Sequence, residues 1–341
     1  MPRNQAELRY ADIDIPEHGQ TSGVAPGIEW LRMPLPFLLG HINLWLLGDE
    51  AHVTIVDSGL NTDETKQLWP QVLRGRSVEQ VIVTHMHPDH VGCAGWLCEQ
   101  HDVALHMTRG EYLMCRVLVA DTGKQAPEAG HRFYQAAGFT GQALQRYQKL
   151  FGSFGRAVHH LPDAFERLQH GQKMTIGPRT WEIIATSGHC PEHASLYCRD
   201  ENILIAGDQL LPTISSNVSV WPTEPNADPL GFWLDSCQLL IDTIAPDTLV
   251  LPSHGKPFRS AHLRLRQLID EHHDGLDKLR ACCASPVRAV DTFSALFKSR
   301  IDENNLIMAT GEAIAHLNYL VARKQMTVTS DADGVSWYQT A

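Results

Sequence analysis

Apolar residues in the first part of the chain fall into short runs closed by Gly, Pro or Asp: GIEWLRMPLP, HINLWLLG and AHVTIVDSG. Runs of that length and punctuation predict three consecutive strands. Residues 61–74 read instead as a helix behind an Asn or Thr cap, which Pro70 is expected to bend or shorten. VEQVIVTH then predicts a buried strand and VGCAGWLCEQ a helix. The loop between them therefore lies at a strand's carboxyl end, where open α/β sheets keep their chemistry. Over residues 108–170 the pattern turns helical, aromatic-rich and Gly-punctuated, which predicts an inserted helical subdomain, either roofing a site or packed at the periphery. KMTIG and PRTWEIIATSG predict a hairpin across Gly177–Pro178, followed by strands in ASLYCR and NILIAGD. Residues 209–228, rich in Pro, Ser and Asn, form a long loop of the kind that usually carries function. LGFWLDSCQLLIDTI reads as a helix and DTLVLPSHG as a strand. From about Arg259 three helical segments precede two alternating runs joined by Asp-Ala-Asp-Gly, a hairpin signal.

At 341 residues the chain has room for two domains, divided here into 1–258 and 259–341. A hydrophobic content of 43% with 20% charged residues predicts a folded globular protein. No apolar run is long enough to span a bilayer and the polar start lacks a secretory signal, so the expected location is cytoplasmic, away from membranes. The eight cysteines form no CxxC pair and read as reduced, buried thiols. Cys190, beside a candidate ligand, is expected to fill a tight loop rather than to react. A net charge of −11 weighs against binding nucleic acid through phosphates, although a metal centre would supply local positive charge.

The most informative stretch is Thr84-His85-Met86-His87-Pro88-Asp89-His90. Three imidazoles and a carboxylate within six residues, on a loop after a buried strand, can present nitrogen and oxygen donors to two adjacent points in space. Three further segments each put a donor just after an apolar strand: His189 in IIATSGHCPEH, Asp208 in ILIAGD and His254 in LVLPSHG. Singly each is unremarkable. If the strands run to one rim, all seven donors meet.

This series (H-x-H-x-D-H, Gly-His, Ala-Gly-Asp, Ser-His-Gly) resembles the metallo-β-lactamase superfamily of hydrolases over roughly residues 27–258. The resemblance implies an α/β fold, a four-layer αβ/βα sandwich, here with a helical insertion. It also implies that His85, His87 and His189 hold one divalent ion, that Asp89, His90 and His254 hold another, and that Asp208 bridges them. An aspartate at the bridging position resembles the glyoxalase II, lactonase and RNase Z branch. Residues 259–341 resemble, more loosely, the winged-helix module of some bacterial members and of a mitochondrial lactamase-like endoribonuclease.

The expected chemistry is hydrolysis by a metal-bridging hydroxide, with Asp89 orienting it and later carrying a proton. Zinc is the default metal, and manganese or iron would accept the same ligands. Asp57 in IVDSG is expected to support a ligating histidine, or else to close a turn through its own backbone. His193 is expected to touch substrate or make a structural hydrogen bond, and His159-His160 and His272-His273 to be ordinary surface residues. Tyr112, Phe133, Tyr147 and Trp221 are the aromatic candidates for contact with a small-molecule substrate. An acidic chain with a helical roof favours a small ester, thioester or lactone; the alternative is a phosphodiesterase or endoribonuclease. The C-terminal part, with Asp331 and Asp333 in its hairpin, is expected to serve packing or a homodimer, although Arg264, Arg266 and Arg280 would allow a basic strip.

Overall fold

The computed structural model describes residues 7–36 and 39–341. After a two-residue strand, β1 (Arg9–Tyr10), the chain builds a seven-stranded sheet from β2 (Thr21–Ala25), β3 (Ile28–Pro34), β4 (His41–Gly48), β5 (His52–Val56), β6 (Ser77–Ile82), β7 (Leu105–Thr108) and β8 (Glu166–Leu168), in that order. Strands β2 to β5 are antiparallel neighbours, and β5 to β8 run parallel. A second seven-stranded sheet is formed by β9 (Lys173–Ile176), β10 (Arg179–Thr186), β11 (His193–Cys198), β12 (Ile203–Gly207), β13 (Leu249–Pro252), β14 (Phe258–Arg259) and β1. Here only β12 and β13 are parallel.

The central strands of each sheet are buried on both faces, and alternation assigns the faces. Ile28, Trp30, Trp45 and Leu47 point into a core shared with Trp181, Ile183, Leu196, Ile205 and Leu251 of the other sheet. Their neighbours Leu31, Met33, Leu44 and Leu46 point outward, under α1 (Asp63–Val72) and α3 (Ala94–His101). Likewise Leu204 and Val250 face α7 (Pro229–Thr243) while Ile203, Ile205, Leu249 and Leu251 face inward. Helix, sheet, sheet and helix make four layers. Helix α1 is capped as predicted, Thr62 accepting from Thr65 N at 3.1 Å, and it carries Pro70 inside. The short α2 (Pro88–Val91) precedes α3.

The helical insertion is shorter than expected. Its helices α4 (Arg109–Ala120), α5 (Glu128–Ala136) and α6 (Gly141–Leu150) are followed by a 3-10 turn and an extended return, and Glu166–Leu168 joins the first sheet as β8. A three-residue strand whose charged Glu166 and Arg167 precede a buried Leu168 has too few positions to show alternation. The middle helix expected after α8 (Ala261–Cys282) also shrinks, to a 3-10 turn at Ala289–Thr292 and α9 (Phe293–Leu296). Asp291 there accepts from the Arg288 backbone and side chain, closing a tight turn. Next come α10 (Leu306–Ala322) and a hairpin of β15 (Met326–Ser330) and β16 (Ser336–Thr340).

Leu265, Leu276, Ile314, Leu317 and Tyr338 of this C-terminal part share one core with Trp233 and Leu240 of α7. The expected boundary at 258–259 falls within β14, which pairs with β13 and β1. The basic strip is not formed as drawn: Arg264 is buried and donates to Leu211 O, Ile214 O and Glu271. Arg280 pairs with Asp277 and Gln325. Among the described residues no helix is long and apolar enough to cross a membrane.

Candidate metal centre

The seven predicted donors lie at one rim. His85 follows β6, His189 follows β10, Asp208 follows β12 and His254 follows β13. Hydrogen bonds between the sheets draw these strand ends together: Ala194 N to Thr84 O at 2.8 Å and Asn43 N to Ser253 O at 2.7 Å. The buried Asn43 amide also donates to Pro252 O and Gly255 O, fixing the backbone on both sides of His254.

His85 Nε2 lies 2.9 Å from His87 Nδ1 and 3.3 Å from His189 Nε2. Asp89 Oδ2 lies 3.4 Å from His254 Nε2 and 3.7 Å from His90 Nε2. Asp208 stands between the two groups. Its Oδ2 is 3.6 Å from His189 Nε2 and 3.9 Å from His85 Nε2, and its Oδ1 is 3.5 Å from His90 Nε2 and 3.6 Å from His254 Nε2. The donor atoms of His85, His87, His189 and Asp208 all lie within 4.8 Å of one another, as do those of Asp89, His90 and His254.

The donor set fits divalent ions on three counts. Nitrogens bound to zinc at about 2.0–2.1 Å in a tetrahedron stand about 3.3 Å apart, close to the His85–His189 separation. His90 Nε2 and Asp208 Oδ1 are buried without a hydrogen-bond partner, a costly state that a cation relieves. Finally, the outer nitrogens of four histidines are tied down. His90 Nδ1 lies 2.8 Å from Asp57 Oδ2, His189 Nδ1 2.7 Å from Asn217 O, His254 Nδ1 3.1 Å from His41 O, and His85 Nδ1 3.0 Å from Thr84 Oγ1. Donation from Nδ1–H leaves the lone pair on Nε2, toward the shared space.

Electrostatics divide the imidazoles of the centre into two kinds. Burial, with His90 and His87 beside it, holds His85 well below the usual imidazole range, and burial with His189 brings His87 to about 3. Burial works against charge on His90 as well, but Asp208, Asp89 and Asp57 outweigh it and hold that imidazole well above its ordinary value. Asp208 is buried, yet His90 and His254 keep its carboxyl well below the usual range. Asp208 thus keeps its negative charge in a buried position because positive charge faces it.

Asp57 is buried in a left-handed conformation at φ 63°, where a non-glycine residue is strained. It accepts from Thr84 N at 2.8 Å and Thr84 Oγ1 at 2.9 Å besides facing His90. His193 accepts from Asp208 N at 3.2 Å, a structural bond rather than a contact toward solvent. Cys190 is buried, and burial together with Glu111 pushes its thiol well up, which disfavours the thiolate. Tyr112 stacks on Phe165 and donates to Pro162 O and Asp163 O. Phe133 and Tyr147 pack with Tyr134 and Phe139 beneath Leu306 and Ile307. Tyr112 and Tyr147 are buried in this packing, Phe133 is half-buried, and Trp221 is 40% exposed.

Glu111 was missed by sequence reasoning. This buried carboxylate on α4 accepts from Met86 N and Glu192 N, each at 2.8 Å, and so ties the His85–His90 loop to the His189 loop. His159 and His160 form a separate surface group with Glu99, each imidazole bonded to one carboxylate oxygen. His272 is not the surface residue expected: it is buried, 3.2 Å from His316.

A profile described as the metallo-beta-lactamase superfamily matches residues 38–256. The chain belongs to the metallo-beta-lactamase superfamily. A second profile, described as the metallo-beta-lactamase-like C-terminal domain, matches residues 276–341. The crystal structure of a beta-lactamase domain protein from Burkholderia ambifaria is similar over 98% of both chains, with TM-score 0.88 and 41% identity. The probable metallo-hydrolase YqjP of Bacillus subtilis (strain 168) is 26% identical over 311 residues, 87% of this chain and 93% of its own. Hydroxyacylglutathione hydrolase of Albidiferax ferrireducens is 24% identical over 181 residues, 52% of this chain and 51% of its own. As a member of this superfamily with a histidine and aspartate metal-binding cluster, the chain is a metal-dependent hydrolase.

Proposed function

We propose that the chain holds two divalent ions and hydrolyses a small ester, thioester or lactone. The observation that carries this reading is Asp208, whose two oxygens face different histidine groups, Oδ2 toward His85 and His189 and Oδ1 toward His90 and His254. His85, His87 and His189 would hold one ion, Asp89, His90 and His254 the other, and Asp208 both. Zinc is the default for this donor set. Such ions, when bound, lower the pKa of water toward 7 and polarise a scissile carbonyl oxygen.

The chain's own residues do the rest. Asp89 is the more open of the two carboxylates at the centre, its side chain 20% exposed against 11% for Asp208. It is therefore the group placed to orient a nucleophile and pass a proton outward. His193 holds the Asp208 backbone and Glu111 spans the two ligand loops, so the donors stay fixed while substrate binds. Leu39, Ile214, Trp221 and Met308 are exposed apolar residues on the segments that fix the site. Leu39 lies two positions before His41, and the Met308 carbonyl accepts from Ser219 at 3.3 Å. The likeness to a hydroxyacylglutathione hydrolase supports an acyl substrate.

Turnover on a panel of thioesters, lactones and bis-p-nitrophenyl phosphate tests the reading. Hydrolysis of an acyl substrate, abolished by Asp208→Ala in protein that still folds, is expected. Turnover of the phosphodiester alone would replace the acyl reading with the phosphodiesterase one.

A further inference from the structure

The loop from 209 to 221 touches the ligand residues at two points: the Ser216 hydroxyl donates to the Asp208 carbonyl, and the Asn217 carbonyl receives His189 Nδ1 at 2.7 Å. Long Pro- and Ser-rich loops do not hold a carbonyl in place by themselves. The C-terminal helices hold this one. From α8, the buried Arg264 donates to Leu211 O at 2.8 Å and Ile214 O at 3.0 Å. From α10, Gly311 O accepts from Val220 N at 3.0 Å, and a Cβ on Gly311 would stand 2.8 Å from that of Ser219. The Asn217 side chain is gripped at both ends: Nδ2 donates to Glu312 Oε2 at 2.8 Å, and Oδ1 accepts from Ser219 Oγ at 2.5 Å.

We propose that Glu312 of the C-terminal part is a positioning residue for the metal centre, fixing Asn217 so that its carbonyl holds His189 with Nε2 toward the first ion. This deepens, and rests on, the proposed function. Asn217 is an unusual link because its side chain takes the grip from α10 while its backbone passes it to His189. Glu312 is also costly to keep, since burial pushes its carboxyl up to about 7 against the Asn217 hydrogen bond, which holds it down. An uncharged residue would be cheaper if packing were its only duty. The appended C-terminal part is, on this account, one wall of the active site.

Zinc affinity of the full-length protein, read by competition with a chromophoric chelator, tests the relay independently of activity. Glu312→Ala and Asn217→Ala are each expected to weaken one of the two equivalents about tenfold, the range found when a ligand's outer partner is removed, and to leave the other unchanged. Because both act through one contact, the double variant loses no more than either single one. Glu312→Gln keeps an acceptor for Asn217 and retains wild-type affinity within about twofold. Leu317→Ala, a buried lesion elsewhere on α10, lowers the melting temperature without moving the affinity.

Wild-type affinity for both equivalents in folded Glu312→Ala would overturn the relay. If that variant does not fold, Asn217→Ala decides in the same way. Wild-type protein that binds a single ion would count against the dinuclear reading instead, and the tenfold shift of that one equivalent would still decide the relay.

Discussion

Replacing Asp57 by asparagine reverses one hydrogen-bond polarity and leaves shape almost untouched. In the native chain His85 Nδ1–H donates to Thr84 Oγ1 at 3.0 Å, Thr84 Oγ1–H donates to Asp57 Oδ2 at 2.9 Å, and His90 Nδ1–H donates to the same oxygen at 2.8 Å. One carboxylate oxygen thus sets the tautomer of a histidine in each donor group. The Asp57→Asn side chain keeps an acceptor for Thr84 N, bonded at 2.8 Å in the native protein, but turns an NH2 toward His90 and Thr84. His90 must then carry its proton on Nε2, and the Thr84 hydroxyl must donate toward His85, so both imidazoles lose the lone pair that faces the centre. Each outer-partner loss is worth about 10–100-fold in metal affinity, or about 1.4–2.7 kcal/mol per site. Chelator competition should therefore show both equivalents weakened, while thermal melting of the metal-free protein shifts by only a few degrees. An Asp57→Asn variant that binds two ions at wild-type affinity would refute the tautomer reasoning.

Three other variants probe the frame around the centre. Glu111→Ala strands the buried Met86 N–H and the part-buried Glu192 N–H, and should cost about 2–4 kcal/mol in urea unfolding; a loss below about 1 kcal/mol would contradict its role as a tie between loops. Gly207 sits at φ 53°, where an added Cβ would strike His193 Nε2, so Gly207→Ala should lose about 2 kcal/mol or more and release metal more readily; an unchanged melting temperature would count against this. Glu312 has a folded-state value raised from 4.5 to about 7, so the folded form holds its proton more tightly. Its contribution to stability is greatest below about pH 4.5 and declines as pH rises through about 7. Glu312→Gln should gain on wild type by about 1–3 kcal/mol between pH 5 and 8, and a pH-independent difference in melting would refute that assignment.

The sandwich and its rim were legible because the physics is local. Apolar strands end in VTH, TSGH, AGD and PSH, and a donor just past a buried strand is visible in the letters alone. What escaped was decided by tertiary context. Glu111 lies on a helix beside Tyr112 and Leu113, and nothing in that run marks a carboxylate that bonds two distant loops. Tyr112 and Tyr147 looked open to substrate because an aromatic on an amphipathic helix serves a core or a pocket equally well. Arg264 read as part of a basic strip, yet the carbonyls that bury it belong to residues some fifty positions earlier. Asn43 did leave a trace, as the lone amide in the apolar strand HINLWLLG.

Elemental analysis of metal-replete, full-length protein tests the dinuclear centre most directly. Two divalent ions per chain are predicted for the wild type, with loss of at least one in Asp208→Ala that keeps its native fold. One equivalent or none in the wild type would contradict the account.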